Sequence, residues 1–160
     1  MSDLLVKLYN LPPLAAPAVC DEGLVIRKPI GAENRVIVDW VLEQFGNAWA
    51  SEAQAALVNR PVSVFLALRD SELLGFACYD ATLRGMFGPI GVVQGQRSHG
   101  IGLRLLRACL DDMRSVGYGY AVIGGAGPVE FFQRGANAIE ICGSEPGVYR
   151  GMLKSCHSPN

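Results

Sequence analysis

The chain has 160 residues, with 14 lysines and arginines against 15 aspartates and glutamates, and half of it is hydrophobic. This length fits one domain, and the hydrophobic content supports a packed core rather than a disordered chain. The near-neutral charge excludes partners that require clustered basic residues, so we expect neither nucleic acid nor an anionic membrane surface as a partner. Glycine, with 19 residues, is more frequent than the usual share of about 7%.

The cysteines and histidines predict neither a disulfide framework nor a metal site. The five cysteines are odd in number and include no Cys-x-x-Cys pair, and the only histidines are His99 and His157. We therefore expect free thiols in a reducing compartment and no bound metal. The chain starts without a basic, apolar leader and has no apolar run of about 18 residues, which predicts a cytoplasmic protein without a membrane span.

The first 22 residues are predicted to form an extended N-terminal arm. Three prolines fall within six positions there, and proline lacks the backbone donor that regular structure needs. A short edge strand is expected at Leu4–Tyr9. The folded domain is expected to span residues 23–154, and residues 155–160 are expected to form a tail.

Alternating and helical patterns of apolar residues predict the elements of this domain. The predicted strands are Gly23–Lys28, Val62–Leu68, Leu73–Thr82, Met86–Val93, Tyr120–Gly124, Ala138–Cys142 and Val148–Leu153. The predicted helices are Glu33–Phe45, Ser51–Asn59, Ile101–Val116 and Pro128–Arg134. A capping-box pattern places the start of the second helix. Strands and helices do not alternate regularly, so the order predicts a mixed α/β domain with one sheet.

The segment Gly91–Leu103 (GVVQGQRSHGIGL) is the one that indicates chemistry. It lies between a strand interrupted by glycine and proline and a strongly amphipathic helix. Glycines let the backbone approach a ligand, the first amides of the helix are free, and the helix dipole adds partial positive charge. Arg97 adds a full charge. These features predict a backbone cradle for an anion, with a diphosphate as the expected guest, while packing of the junction is the alternative explanation.

Two better-known phosphate loops do not fit this segment. A Walker loop requires a Gly-Lys pair, and the chain has none. A Rossmann fingerprint requires a third glycine or alanine where Leu105 stands.

The stretch Arg97-Ser-His-Gly100-Ile-Gly102 fits the signature [QR]-x-x-G-x-[GA] at a strand-to-helix junction. Here, and in its element order from Gly23 onward, the chain resembles the GNAT superfamily of acyl-CoA-dependent N-acyltransferases. The stretches FACYDAT, FGPIGV, GYGYAVIGG and PGVYRGML resemble a small bacterial subgroup of it. The resemblance implies a central, mostly antiparallel twisted sheet with splayed strands and helices on both faces.

The resemblance also implies acetyl-CoA as the co-substrate. The strand residues Val92 to Gln94 would hydrogen-bond the pantetheine arm, and the Val92 amide would polarise the thioester carbonyl, a catalytic role. The amides that follow would hold the diphosphate. The expected cofactor-binding residues are Val92, Val93, Gln94, Arg97, Ser98, His99, Gly100, Ile101, Gly102, Leu103 and Phe132.

The chain departs from the family at the residue that protonates the departing CoA thiolate. Members often carry a tyrosine on the helix after the YAVIGG strand, but Phe131 or Phe132 stands there, depending on the register. Tyr149, Tyr79 and Cys142 are candidate substitutes, with packing as the alternative role of each. Water could also supply the proton, because a thiol has a pKa near 8.5 and is a fair leaving group.

The acceptor amine must be neutral to attack, so a base or a water chain is required. Asp80 and Glu130 are candidate catalytic bases, with capping or a solvated surface as the alternative. Glu52 is interpreted as a first-turn acid that complements a helix dipole.

The expected walls of the substrate pocket are Trp49, Tyr79 and Phe87. Trp49 is placed in a loop after the first helix, a region that shapes the acceptor pocket in the family. A pocket that is aromatic and lightly charged favours a small amine or an amino-acid-like acceptor.

The leading hypothesis is transfer of an acetyl group from acetyl-CoA to a primary amine of a small molecule, by direct attack in a ternary complex. A sensor or pseudo-enzyme that binds CoA or acyl-CoA without catalysis is the alternative, and the missing helix tyrosine is its best support. A module whose loop binds nothing is a third hypothesis. Apolar edge strands at the C-terminus would permit a homodimer.

Overall fold

The structure is a computed structural model, and it describes residues 1–14 and 23–154. Within these residues, seven strands form one sheet: β1 Leu4–Lys7, β2 Val25–Arg27, β3 Val64–Arg69, β4 Glu72–Tyr79, β5 Met86–Val92, β6 Tyr120–Ile123 and β7 Ile139–Glu140. Their spatial order is β2-β3-β4-β5-β6-β1-β7. Every neighbouring pair is antiparallel except β5 and β6, which are parallel.

In the described part of the chain, four α-helices cover the two faces of this sheet: α1 Asn34–Phe45, α2 Asn47–Leu57, α3 Ile101–Ser115 and α4 Val129–Ala136. The apolar residues of α1 and α2 pack in one cluster, and those of α3 and α4 pack in another. The predicted mixed α/β class, with one mostly antiparallel sheet and helices on both faces, is confirmed. No helix within residues 1–14 and 23–154 has the length and apolarity needed to cross a membrane.

Strand β4 shows how the two clusters share the sheet. Phe76 and Cys78 face α1 and α2, whereas Ala77 and Tyr79 face α3, because successive side chains of a strand point to opposite faces. The β3–β4 connection is a two-residue hairpin turn. Asp70 and Ser71 have φ values of 50° and 65°, the positive values that match the twist of an antiparallel pair.

The N-terminal strand is present, but its predicted edge position is wrong. Residues of β1 pair with β6 on one side and with β7 on the other, so the strand lies inside the sheet. Leu4 and Val6 are buried, which supplies the free energy that holds the strand there. Residues 15–22 and the predicted tail 155–160 lie outside the described residues, and the division of the chain at residue 23 stays a prediction.

Two further predictions are corrected. The second helix begins at Asn47, not at Ser51, because Gly46 with φ of 91° ends α1 and one residue suffices for the break. The C-terminal strand Val148–Leu153 is wrong: Gly147–Tyr149 is a 3-10 turn. The homodimer expectation loses one of the two edge strands on which it rested.

Strands β5 and β6 part soon after they meet. They pair only at Met86 with Val122 and at Phe87 with Ile123. Strand β5 continues to Val92 along β4, so its other edge is left without a partner strand. The splayed strands expected from the family resemblance are therefore present, and a gap opens beside β5 in the middle of the sheet.

Gly75 makes the close contact between β4, β5 and α3 that fixes this arrangement. A Cβ at Gly75 would lie 2.9 Å from the Gly91 carbonyl oxygen and 3.0 Å from Leu105 Cδ1. We expect Gly75→Ala to lower the free energy of unfolding by about 1–3 kcal/mol through overpacking, measured by urea denaturation. Gly119→Ala is the matched control, because a Cβ there meets nothing within 4 Å, and an equal loss in both variants would contradict the prediction.

Candidate functional site

The backbone of β5 presents free amides to the gap. The Val93 N–H donates to the Leu74 carbonyl oxygen at 2.9 Å. Hydrogen bonds of an antiparallel pair alternate along the strand, so the N–H groups of Val92 and Ile90 point away from β4. With β6 paired only to Met86 and Phe87, these two amides face the gap. The Val93 amide, expected to contact pantetheine, is instead used by β4.

The loop between β5 and α3 is built to expose amides. A 3-10 turn at Gln94–Gln96 uses the N–H groups of Gln96 and Arg97. Ser98 and Gly100 then take positive φ values of 68° and 79°. Arg97, just before them, is extended, and successive N–H groups in such turn conformations form concavities that bind anions.

The N-terminus of α3 completes this concavity. The first amides of the helix have no partner within it, and they carry the positive end of its dipole. A Cβ on Gly102 would meet Phe131 Cζ at 3.5 Å and Val92 Cγ2 at 3.9 Å, so this first turn stands beside the end of the gap. Arg97 is exposed, and its Nε donates to the Val92 carbonyl oxygen at 3.0 Å, which places a positive charge where the gap meets the loop.

The two phenylalanines of α4 take different positions. Phe131 is half-buried and lies beside Gly102 and Val92, so it borders the gap. Phe132 is 4% exposed and packs on Phe87, with ring centroids 6.2 Å apart. The predicted cofactor contact of Phe132 and the predicted pocket wall of Phe87 are therefore both core positions on the α3–α4 face.

The family model described as "Acetyltransferase (GNAT) family" matches residues 34–135 of the chain, which is more than half of it. The chain belongs to the GNAT acetyltransferase family. No functionally curated protein matched the chain.

Solved GNAT structures share the fold at low identity. A GCN5-related N-acetyltransferase from Sphaerobacter thermophilus is 20% identical, with a TM-score of 0.66 over 88% of this chain and 48% of its own. A glucosamine N-acetyltransferase region of a fungal multi-domain β-N-acetylglucosaminidase is 14% identical, with a TM-score of 0.68 over 88% of this chain and 19% of its own. The chain thus spans about half of one relative and about a fifth of the other.

A third structure carries the co-substrate. A GNAT family acetyltransferase from Brucella melitensis, in complex with acetyl-CoA, is 20% identical, with a TM-score of 0.51 over 69% of this chain and 80% of its own.

In this GNAT domain, the side of the gap that faces α1 and α2 has open space next to Gly88 and aromatic side chains next to Gly91. A Cβ at Gly88 would meet nothing within 4 Å, whereas at Gly91 it would lie 2.6 Å from Phe45 Cζ. The Phe45 ring in turn packs on Trp49, with centroids 5.2 Å apart. Trp49 is half-buried within α2 rather than in a loop, and its ring belongs to the aromatic cluster next to this open space.

A chain of three polar side chains stands where the two strands part. Following the register of Phe87 with Ile123, the next positions are Gly88 and Gly124. The Tyr149 hydroxyl oxygen lies 3.1 Å from where a Cβ on Gly124 would be. The Thr82 hydroxyl donates to Glu52 Oε1 and also interacts with the Tyr149 hydroxyl. Burial raises the pKa of Tyr149, and the Glu52 and Asp3 carboxylates raise it further, against the opposite effect of Thr82.

The other predicted acids and bases are held elsewhere. Tyr79 is buried, and its hydroxyl donates to Asp112 Oδ2 at 2.7 Å on the α3 face; burial is the main cause that raises its pKa. Asp80 accepts from the Gly85 N–H at 2.6 Å and from the Tyr118 hydroxyl at 2.7 Å, so both of its oxygens fix the loop between β4 and β5. Glu130 is exposed in the first turn of α4.

A cavity of about 670 Å³ lies at the opposite end of β5 from the anion-binding loop. Asp80, Arg84 and Tyr118 line it, together with the chain after α2. Within residues 1–14 and 23–154, no three His, Cys, Asp or Glu side chains gather as a metal site.

The sequence alone does not identify three residues that the structure places at or next to the candidate site: Glu52, Thr82 and Ile90. The sequence pattern assigns Glu52 to the first turn of α2, because the predicted start of this helix lies four residues after the observed start at Asn47. Thr82 was counted as the end of a strand, although β4 ends at Tyr79. Only the register of β5 against β4 identifies Ile90, and an isolated strand sequence does not contain that information.

We expect Tyr79→Phe to lower the free energy of unfolding by about 1 kcal/mol, since one buried hydrogen bond to Asp112 is lost. Urea denaturation measures it, with the half-exposed Tyr120→Phe as control. If Tyr79→Phe leaves the free energy of unfolding unchanged but abolishes turnover, Tyr79 would instead belong to the acceptor pocket.

Proposed function

We propose that this GNAT protein transfers an acetyl group from acetyl-CoA to the primary amine of a small acceptor, by direct attack in a ternary complex. The gap beside β5 carries the proposal. Its edge offers the Val92 amide, one end meets the anion-binding loop, and the other end meets the Glu52–Thr82–Tyr149 chain. The acetyl-CoA complex of the Brucella relative supports the choice of co-substrate.

In this proposal the cofactor half of the site runs from β5 to α3. The pantetheine arm lies in the gap along Val92, next to Gln94, and the amides from Ser98 to Leu103 bind the diphosphate. The N–H groups of Val92 and Ile90 stabilise the oxyanion that forms when the thioester carbonyl is attacked. Phe131, rather than Phe132, borders the arm, because Phe132 is buried against Phe87.

The acceptor half lies on the α1–α2 side, between Trp49 and Tyr149. The amine enters as an ammonium ion, which loses one proton to solvent before it attacks the thioester carbon. As the carbon–nitrogen bond forms and the carbon–sulfur bond breaks, Glu52 takes the second proton from nitrogen. A proton then passes through Thr82, and Tyr149 gives its own to the thiolate. The products are the amide and free CoA, and the three side chains regain their starting protonation.

Asp80 and Glu130 have no step in this scheme. Both carboxylate oxygens of Asp80 already accept hydrogen bonds that hold the loop carrying Thr82. Glu130 is exposed at the start of α4. Phe131 cannot give a proton, which favours one second candidate: a sensor that binds acyl-CoA without turnover.

The proposal is tested in two steps. Acetyl-CoA at about 100 times Kd is expected to stabilise the fold by about 2.7 kcal/mol, seen as a higher melting temperature. Thiol release is then followed with glycinamide, tryptamine, glucosamine and spermidine as acceptors. No thermal shift contradicts both candidates, and a shift without thiol release from any acceptor favours the sensor.

Arg97→Ala is expected to weaken acetyl-CoA binding about fivefold, because an exposed cation contributes up to about 1 kcal/mol to a pair with an anion. Isothermal titration at low salt measures the Kd. Arg35→Ala is the charge-matched control, since Arg35 is paired with Asp39 on the exposed face of α1. Equal affinities of the two variants would remove Arg97 from the cofactor site.

Tyr149→Phe is expected to lower kcat by on the order of 100-fold, the lower range for a general acid, and to leave the Kd of acetyl-CoA unchanged. Since the pKa of Tyr149 is raised, wild-type turnover should persist into alkaline solution and fall only as the phenol ionises. That alkaline fall should be absent in Tyr149→Phe. A variant with wild-type kcat would leave leaving-group protonation to water.

A further inference from the structure

We propose that Asp3 is a positioning residue of the active centre, which holds Tyr149 over the gap beside β5. This inference rests on the proposed function in assigning a catalytic role to Tyr149. The placement of Asp3 follows from the register of β1. Leu4 pairs with Ile123 of β6 and with Glu140 of β7, so Asp3 lies at the point where β6 turns into Gly124.

The Asp3 carboxylate is buried and joins two segments. The whole residue is 8% exposed. Its Oδ1 accepts a hydrogen bond from the Gly125 N–H at 2.9 Å. Its Oδ2 lies 3.0 Å from where a Cβ on Gly147 would stand, in the 3-10 turn that carries Tyr149. One carboxylate therefore touches both the turn after β6 and the turn that bears the phenol.

The backbone of Asp3 fixes the approach to that turn. The Asp3 N–H donates to Ser144 Oγ at 2.8 Å, and the Ile141 N–H donates to the Asp3 carbonyl oxygen at 2.9 Å. Ser144 Oγ also donates to the Ile141 carbonyl oxygen at 2.7 Å. The chain after β7 is thus bonded at two points to the residue before β1.

The turn after β6, to which the Asp3 carboxylate is hydrogen-bonded, also lies directly beneath the Tyr149 ring. Tyr149 Cε2 lies 3.3 Å from the Cβ position of Gly124 and 3.6 Å from that of Gly125. Gly125 has φ of 53°, a conformation that glycine adopts readily. The Asp3 carboxylate therefore contacts both the turn against which the Tyr149 ring packs and the 3-10 turn that carries this ring. Its negative charge also favours the protonated phenol.

A charge-removing variant tests the role without removing the side chain. Asp3→Asn keeps the size of Asp3 but weakens its hydrogen bond to Gly125, because bonds to a charged acceptor are about twice as strong as neutral ones. We expect kcat for thiol release with the best acceptor of the amine panel to fall about tenfold, with the acetyl-CoA Kd unchanged. Glu140→Gln, an exposed carboxylate on β7, is the control and should change neither.

The decisive measurement is the double variant. If Asp3 acts through Tyr149, Asp3→Asn should have no further effect on kcat once Tyr149→Phe is present, since coupled residues are not additive. The same tenfold loss in both backgrounds would overturn the positioning role. A loss confined to the urea midpoint would also overturn it, by showing a purely structural residue.

A second readout does not depend on activity. Arg150 follows the 3-10 turn and is exposed, so trypsin cleavage after Arg150 reports how often this segment opens. Asp3→Asn should be cleaved there at least fivefold faster than wild type, and Glu140→Gln at the wild-type rate. Equal rates in all three would overturn the proposal even if thiol release failed. Faster cleavage of Asp3→Asn without turnover in wild type would uphold the contact and refute only the proposed function.

Discussion

The parting of β5 from β6 is the constraint on which the rest of the structure depends. A sheet interior normally satisfies backbone N–H and C=O groups on both sides of a strand, but the pairing here stops after two residues. The amides beyond it face a gap that the rings of Phe45 and Phe131 border. Hydrogen-bond donors fixed in advance stabilise developing charge at low reorganisation cost, which is the role that the proposed function gives to this unpaired edge.

Glycines maintain this gap from several directions. Gly75 lets β4 approach β5 and α3, Gly91 accommodates the Phe45 ring, and Gly88 leaves open space at the divergence. Together with Gly102 and Gly124, they surround one volume with backbone instead of side chains. Five of the 19 glycines of the chain therefore lie around the gap.

Local patterns of apolar residues and glycines in the sequence predict most of the fold. Helix α3 was predicted to within one residue, because its apolar stripe is continuous and glycines flank it. The loop before it was predicted from the same local features. Errors arose where the deciding interaction is distant in sequence: β1 looked like an edge strand until its two partners were known, and the C-terminal segment looked extended although it folds into a 3-10 turn against Asp3.

The part of the candidate site that is proposed to be catalytic is harder to predict for the same reason. Phe131 and Phe132 are equivalent in sequence, and only packing separates the half-buried ring from the core ring. The contact of Glu52 with Thr82 spans 30 residues. Contacts between residues so far apart leave no pattern in the sequence. A backbone anion site does leave one, because its glycines and the start of its helix are neighbours in the sequence.

The position of β1 between β6 and β7 has a consequence for how the chain folds. Its partners β6 and β7 lie more than 100 residues further along, so during synthesis β1 has no partner strand until nearly all of this domain has been made. Contacts of such long sequence separation slow folding and leave strand edges open to association in the meantime. The step that inserts β1 also brings Asp3 against the 3-10 turn that carries Tyr149, so these contacts form only after β6, β7 and that turn have been synthesised.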